Sequence, residues 1–313
     1  MRSSTLTSAF ALITVATLGL TACGSGDADD AAPAGAAQND SIPTRDVVSA
    51  LHKDPAAAKL LPADVRRSGR LRIAVTVGGT PPGSAYLPDG KTIAGQDVDF
   101  AQAVAKVLGL RLDQEVASFE AILPALDSGK YDLGTGNFGV TDERRKTIDF
   151  VTYINDGQGF AVRKDSDLKK ITALTQLCGL NVATGAGTTF EATLEQHRND
   201  CASVGKKAYS VKTYAESSAV WSSLQQGRSD VVMSTINGLR YAVRHQEGLR
   251  FLNEFHRLDV GFAFKKGTPL APAFRAAVNK LIEDGTYRKI LDKWGTGPSA
   301  IKTSQISPPE IKD

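Results

Sequence analysis

A seven-residue pattern occurs twice in this chain, about 100 residues apart, and each copy carries the same structural instructions. Leu126-Asp-Ser-Gly129-Lys-Tyr-Asp132 is echoed by Leu224-Gln-Gln-Gly227-Arg-Ser-Asp230. In each copy a helical stretch ends at a Gly suited to the left-handed turn after a helix. A basic residue follows, and an Asp opens an apolar run that begins at Leu133 or at Val231. A helix–turn–strand unit used twice implies two similar α/β lobes. The 313 residues suit two lobes plus appendages.

Between and around the echoes, strands alternate with helices. Residues 71–77 read as a strand that ends in the Pro- and Gly-rich turn 78–83. Asp97 or Asp99 can cap a helix carrying Phe100, Val104, Val107 and Leu108, closed by Gly109. A strand at 111–116 and a helix after Ser118 follow, with Pro124 expected near that helix's start or at a kink. Further on come a strand at 179–183, a turn at 184–189 and a helix from Phe190. Residues 157–162 and 258–264 are the expected crossovers. Residues 271–294 form a long amphipathic stretch, interrupted at Gly285, that returns to the first lobe. The expected division is a first lobe of 45–156 plus 257–297, including a helical lead-in, a second lobe of 157–256, and a Pro- and Ser-rich tail of 298–313.

The first residues carry an address. Arg2 supplies a positive start, 9–20 are apolar and uncharged, and Leu20-Thr21-Ala22-Cys23 matches a lipobox. The expectation is a signal peptide of 1–22 and a lipid on the Cys23 sulfur. The apolar run is short for a membrane span. Residues 23–44 are Ala, Gly, Asp and Pro with almost no large apolar side chain, a disordered tether by composition. The mature protein is thus expected on the extracytoplasmic face of the cell membrane, lipid-anchored and monomeric. Cys178 and Cys201 remain, and in an exported chain an even remainder points to a disulfide; two separate buried thiols are the alternative.

The chemistry-bearing segment is 129–153. Residues 133–137 are too Gly-rich to fill a core, which keeps the backbone open for close approach by something else. Thr141 can cap a helix, and Asp142 and Glu143 suit its positive end, but Arg144 in the first turn opposes the dipole. A cation set against its surroundings suggests an anionic partner, and a guanidinium fork suits a carboxylate. Arg145 and Lys146 read as solvated. Gly187-Thr188-Thr189 before a helix offers N–H groups and hydroxyls to an anion, or is a plain turn.

These segments resemble the polar amino-acid-binding proteins, family 3 of the solute-binding proteins that serve ABC importers. The family pattern is a Gly-basic-x-Asp turn, a small-residue strand, then Thr-x-Glu-Arg and an Asp-Phe strand, and the likeness spans about 61–295. It implies a type II periplasmic-binding fold, two α/β lobes joined by a two-segment hinge, and an ABC permease as partner. It also implies an amino-acid-like ligand whose carboxylate meets Arg144, Thr188 and Thr189. Gly136, Asn137, Gly139 and Phe119 are implied to line that ligand. Three places depart from the pattern. Residues 80–83 lack the usual aromatics, leaving Tyr86 as a substitute. Gly139 stands where the family commonly has Ser or Thr, so a hydroxyl donor is lost while the backbone N–H remains. Thr235 stands where an Asp normally receives the ammonium, so either the ligand lacks an ordinary α-ammonium or Asn237 or Asp97 compensates.

Other chemistries find little support. Dispersed charge with a net +3 gives no basic stripe for nucleic acid. His52, His197, His245 and His256 form neither a nucleophile motif nor a metal spacing, and no cofactor is expected. The rival reading is an exported enzyme on the same fold, dehydratase-like or peptidoglycan-cleaving, which needs a general acid in the cleft. Asp97 and Glu120 are its weak candidates.

Overall fold

The computed structural model describes residues 42–78 and 80–312, so the lipobox and Cys23 lie outside the described residues. Two short helices, α1 (Pro55–Lys59) and α2 (Ala63–Ser68), lead into strand β1 (Arg70–Val75). Asp54 caps α1 by accepting from the Ala57 amide, and Pro55 suits its first position. A small hairpin, β2 (Ala85–Tyr86) and β3 (Ile93–Ala94), precedes α3 (Gln96–Leu108). Then come β4 (Arg111–Val116), α4 (Phe119–Asp127) and β5 (Leu133–Gly139). Strand β6 (Ile148–Arg163) crosses to the second half. That half holds β7 (Asn181–Gly185), α5 (Thr189–His197), β8 (Ser210–Tyr214), α6 (Ser217–Gln225), β9 (Val231–Thr235) and α7 (Ile236–His245). Strand β10 (Leu249–Lys265) returns, and α8 (Ala271–Glu283) and α9 (Thr286–Trp294) pack beside α3.

Eight strands form one sheet in the order β4-β1-β5-β10-β6-β9-β7-β8. The two ends are parallel α/β units, and the centre is the antiparallel pair β6–β10. The segments expected as crossovers are parts of these two long strands, paired from Leu249↔Arg163 to Lys265↔Ile148. Helices cover both faces of each half. In the first, Phe100, Val104, Phe274 and Leu281 fill one face of the sheet, and Ile122, Leu126 and Phe138 fill the other. In the second, Val182, Leu194 and Tyr209 pack on one side, and Val220, Leu224 and Leu239 on the other.

The echo is a structural identity. Gly129 (φ 76°) and Gly227 (φ 70°) both take the left-handed conformation that a Cβ would strain. Lys130 N–H reaches Ala125 O and Gly129 N–H reaches Leu126 O; Arg228 and Gly227 repeat both bonds to Ser223 and Leu224. These are Schellman turns. Each Asp then fastens its strand to the neighbouring one. Asp132 donates its N–H to Arg72 O and accepts Arg72 N–H at 2.8 Å; Asp230 does the same with Asn181 at 2.7 Å.

Three expectations change. Gly95, not Asp97 or Asp99, occupies the N-cap of α3, and both Asp side chains are buried in its first turn. The expected helix at Arg144 is a single 3-10 turn, Arg144–Lys146, capped by Thr141 Oγ1. The tail at 298–312 is a strap. Thr152 N–H donates to Gln305 O, Ser307 N–H donates to Phe150 O, and Ile306 bridges Val151. The cause lies in the sheet: β9 flanks β6 in the second half only, and the strap satisfies the flank it leaves bare in the first. Cys178 and Cys201 are disulfide-bonded, closing a loop that spans 23 positions.

Candidate functional site

A cavity of about 160 Å³ lies where strands and loops of both halves meet. The loop after β1 contributes Thr76, Thr80 and Ser84, and the end of β5 contributes Gly136 and Asn137. The second half contributes Thr188 and Thr189 from the start of α5, Trp221 from α6, and Thr235 and Asn237 around the start of α7. Ligands of α/β sheets bind at such strand ends and helix starts.

Arg144 lines the cavity as a cation without an acid. Its guanidinium donates to Gly139 O and, across the two halves, to Gly187 O, both at 3.1 Å. It also lies 5.8 Å from the centre of the Phe119 ring, which stacks on Phe138. Among the described residues no carboxylate pairs with it. Loss of water pulls its pKa down to about 10, a sign of a charge short of compensation. Gly187 has no room for a side chain: a Cβ there would stand 2.8 Å from Glu120 Cβ.

Asp97 is the cavity's acid. It is 2% exposed, accepts from Tyr153 Oη at 2.6 Å and takes a further bond from the Asn137 N–H. Burial outweighs these bonds and lifts its pKa to about 6. Asn137, left-handed at φ 59°, also donates its side-chain amide to Asp156 at 3.1 Å. Asp156 is fully buried in β6, accepts from Asn237 N–H, and is likewise raised to about 6 by burial.

The two threonine positions act as caps. Thr188 Oγ1 accepts from Glu191 N–H and donates to Gly185 O; Thr235 Oγ1 accepts from Gly238 N–H. The Gly187 N–H expected to meet an anion is taken by the Glu191 carboxylate at 2.7 Å. Eight of the ten residues expected to contact ligand line the cavity. The other two do not. Gly139 is buried in β5 and contributes its carbonyl to Arg144 instead. Tyr86 pairs with Ile93 in the β2–β3 hairpin and is 46% exposed there, outside the cavity lining.

Three contributors were missed from sequence. Trp221 is buried and donates its indole N–H to Thr80 Oγ1 across the halves at 2.6 Å; a lone Trp in a Ser-rich helix was its signal. Asp156 sat in plain view as an acid within the apolar run of β6. Ser84 left no signal: its hydroxyl is buried in the cavity wall and has no hydrogen-bond partner among the described residues. Among the described residues no acid or thiol cluster could hold a metal ion, and no helix is long and apolar enough to cross a membrane.

Residues 71–297 match the bacterial extracellular solute-binding proteins, family 3. The L-cystine-binding protein TcyJ of Escherichia coli K12 is 30% identical over 234 residues, covering 74% of this chain and 84% of that protein. A solved ancestral arginine-binding protein bound to arginine is 32% identical with a TM-score of 0.65, covering 72% of this chain and 98% of that one. An ancestral amino acid-binding protein, a precursor of cyclohexadienyl dehydratase, matches at 27% identity and TM-score 0.65, covering 74% and 97%.

Proposed function

The chain belongs to family 3 of the bacterial extracellular solute-binding proteins, and from that premise we propose that it captures an amino acid or a related small carboxylate for an ABC permease. The observation that carries this reading is Arg144, half-buried in the cavity wall, whose guanidinium meets two carbonyl oxygens and, among the described residues, no carboxylate. A ligand carboxylate completes that charge, with Thr189 and the start of α5 closing on it from the other half. The lobes, 45–156 with 257–297 and 157–256, close on ligand by bending at β6 and β10, as a monomer held to the membrane by lipid on Cys23. A thermal-shift screen of amino acids against their carboxamides tests it. Carboxylates should raise the melting point and carboxamides should not; equal shifts would remove Arg144 from the reading.

The ligand's cation is held on the opposite side from the family's usual one. Thr235 is neutral and its hydroxyl is engaged in capping, whereas Asp97 is an acid in the cavity. Ligand cations should therefore bind more tightly as pH rises through about 6 and Asp97 ionises. Thr235→Asp should add a second anionic pole. If Asp97→Asn leaves cation-bearing ligands bound as before, the assignment is wrong.

Asp97 also favours one second reading. A buried carboxyl raised to about 6 is poised as a general acid, and one structural relative is a precursor of a dehydratase. Mass spectrometry of ligand after prolonged incubation separates the two: unchanged ligand supports carriage, and loss of water supports catalysis.

A further inference from the structure

The strap at 298–312 lies beyond the 71–297 that match the family, and it ends against the turn that bears Arg144. From this juxtaposition we infer that the strap is a positioning element for Arg144, with Glu310 as its key residue. The turn has little of its own to hold it. Its local bonds are Arg144 N–H to Thr141 Oγ1, Arg145 N–H to Thr141 O, Lys146 N–H to Glu143 O and Thr147 N–H to Arg144 O, with an exposed Lys146–Glu143 ion pair, and Lys266 just past β10 donates to Arg145 O and Thr147 O on its far side. A lone 3-10 turn in water does not keep a fixed shape on such bonds.

The strap ties down the near side of the turn, at Asp142, which Lys266 does not reach. Glu310 accepts Asp142 N–H at 2.8 Å and returns its own N–H to Asp142 Oδ1 at 3.2 Å. Lys312 pairs with Asp142 Oδ2 at 3.1 Å. Arg145, expected to be solvated, donates to Ser307 O at 3.0 Å and to Asp142 Oδ1 at 2.8 Å. Residues on both sides of Arg144 in the chain, Asp142 and Arg145, are thereby tied to one anchored segment. The segment is itself fixed by its bonds to Phe150 and Thr152 of β6. A guanidinium that must wait for its anion without an acid to hold it needs a stiff base.

The inference rests on Arg144 as the anion-holding group but fails separately from it, because its test needs no ligand. Phenylglyoxal, which modifies arginine, is applied to wild type, to Glu310→Ala, to Glu310→Gln and to a chain ending at Thr303. Modification of Arg144 is followed by peptide mass mapping, with Arg163, bonded to Leu224 O and Ser229 O far from the strap, as internal reference. Arg144 should react roughly threefold or more faster in Glu310→Ala and in the shortened chain, relative to Arg163, as local opening frees it. Glu310→Gln, which keeps an oxygen for Asp142 N–H, should react as wild type does. Equal rates in all four would overturn the inference. So would acceleration in the shortened chain alone, which would trace the effect to the uncovered edge of β6.

Discussion

The two halves of this molecule share a scaffold and part company at the ends of their strands. The turns at Gly129 and Gly227, and the clamps at Asp132 and Asp230, match bond for bond. Beyond the clamps, β5 runs on to a left-handed Asn137 and a charged turn, while β9 stops at Thr235 and becomes a helix. Charge gathers on the first half, in Arg144 and Asp97; the second presents capped hydroxyls, an indole and a helix start. The duplicated parts hold the chain in shape, and the parts that differ line the cavity.

The sharpest way to break that contrast is to remove the cation. Arg144→Ala should cost about 2–5 kcal/mol of binding, tens- to thousands-fold in affinity, as the ligand carboxylate loses its partner. Thr188→Ala and Thr235→Ala should cost far less. Calorimetry on folded variants measures all three, and similar losses would show that charge is not concentrated on one half.

Next in size is a staple that only the second half has. Removing the Cys178–Cys201 disulfide should lower stability by about 3 kcal/mol. Urea unfolding should show the second half giving way first. Concerted unfolding with an unchanged midpoint would mean that the bridge is incidental.

A third test uses pH. Asp97 is raised in the fold to about 6 from 3.8, so between these values the native state binds more protons than the unfolded one. Its contribution to stability therefore falls as pH rises across that window and stays low above it. Asp97→Asn removes the penalty, so at pH 7 it should stabilise the ligand-free protein by about 1–3 kcal/mol, and at pH 4 by much less. A pH-independent difference would place that carboxyl in a wetter setting.

The smallest effect tests the likeness of the halves directly. Gly129→Ala and Gly227→Ala should each cost about 1–2 kcal/mol from backbone strain alone, since neither Cβ would meet a neighbour closer than 3.7 Å. Unequal costs would end the claim that the two turns are equivalent.

The sequence made the scaffold legible wherever one residue type answers one backbone demand. Glycine after a helix, Asp at a strand's opening and paired cysteines in an exported chain are of that kind. Arg144 was legible because it stood against its local electrostatics. The partner of a long-range contact leaves no such mark. Asp97 reads from sequence both as a cap and as a candidate acid for the cleft; the cap goes to Gly95, and the bond from Tyr153 Oη that holds the carboxyl in the cavity wall had no sequence signal. Tyr86 looked like the missing aromatic, but the hairpin points it away, while Trp221 arrives from the other half. The strap was read as tail because Pro and Ser are loop formers; its bonds depend on an edge of β6 bare in one half only.

One consequence of the long central strands concerns mechanics. Because β6 and β10 are paired along nearly their whole length, no slack linker joins the two halves. A change of angle between them is absorbed as twist and shear in a hydrogen-bonded ribbon, which resists elastically. Spin labels placed on the two halves should accordingly report a narrow spread of separations without ligand, not the broad one of a free tether. Such a ribbon acts as a leaf spring: the force needed to bend it grows with the angle, and the work stored in bending is returned when the load is removed.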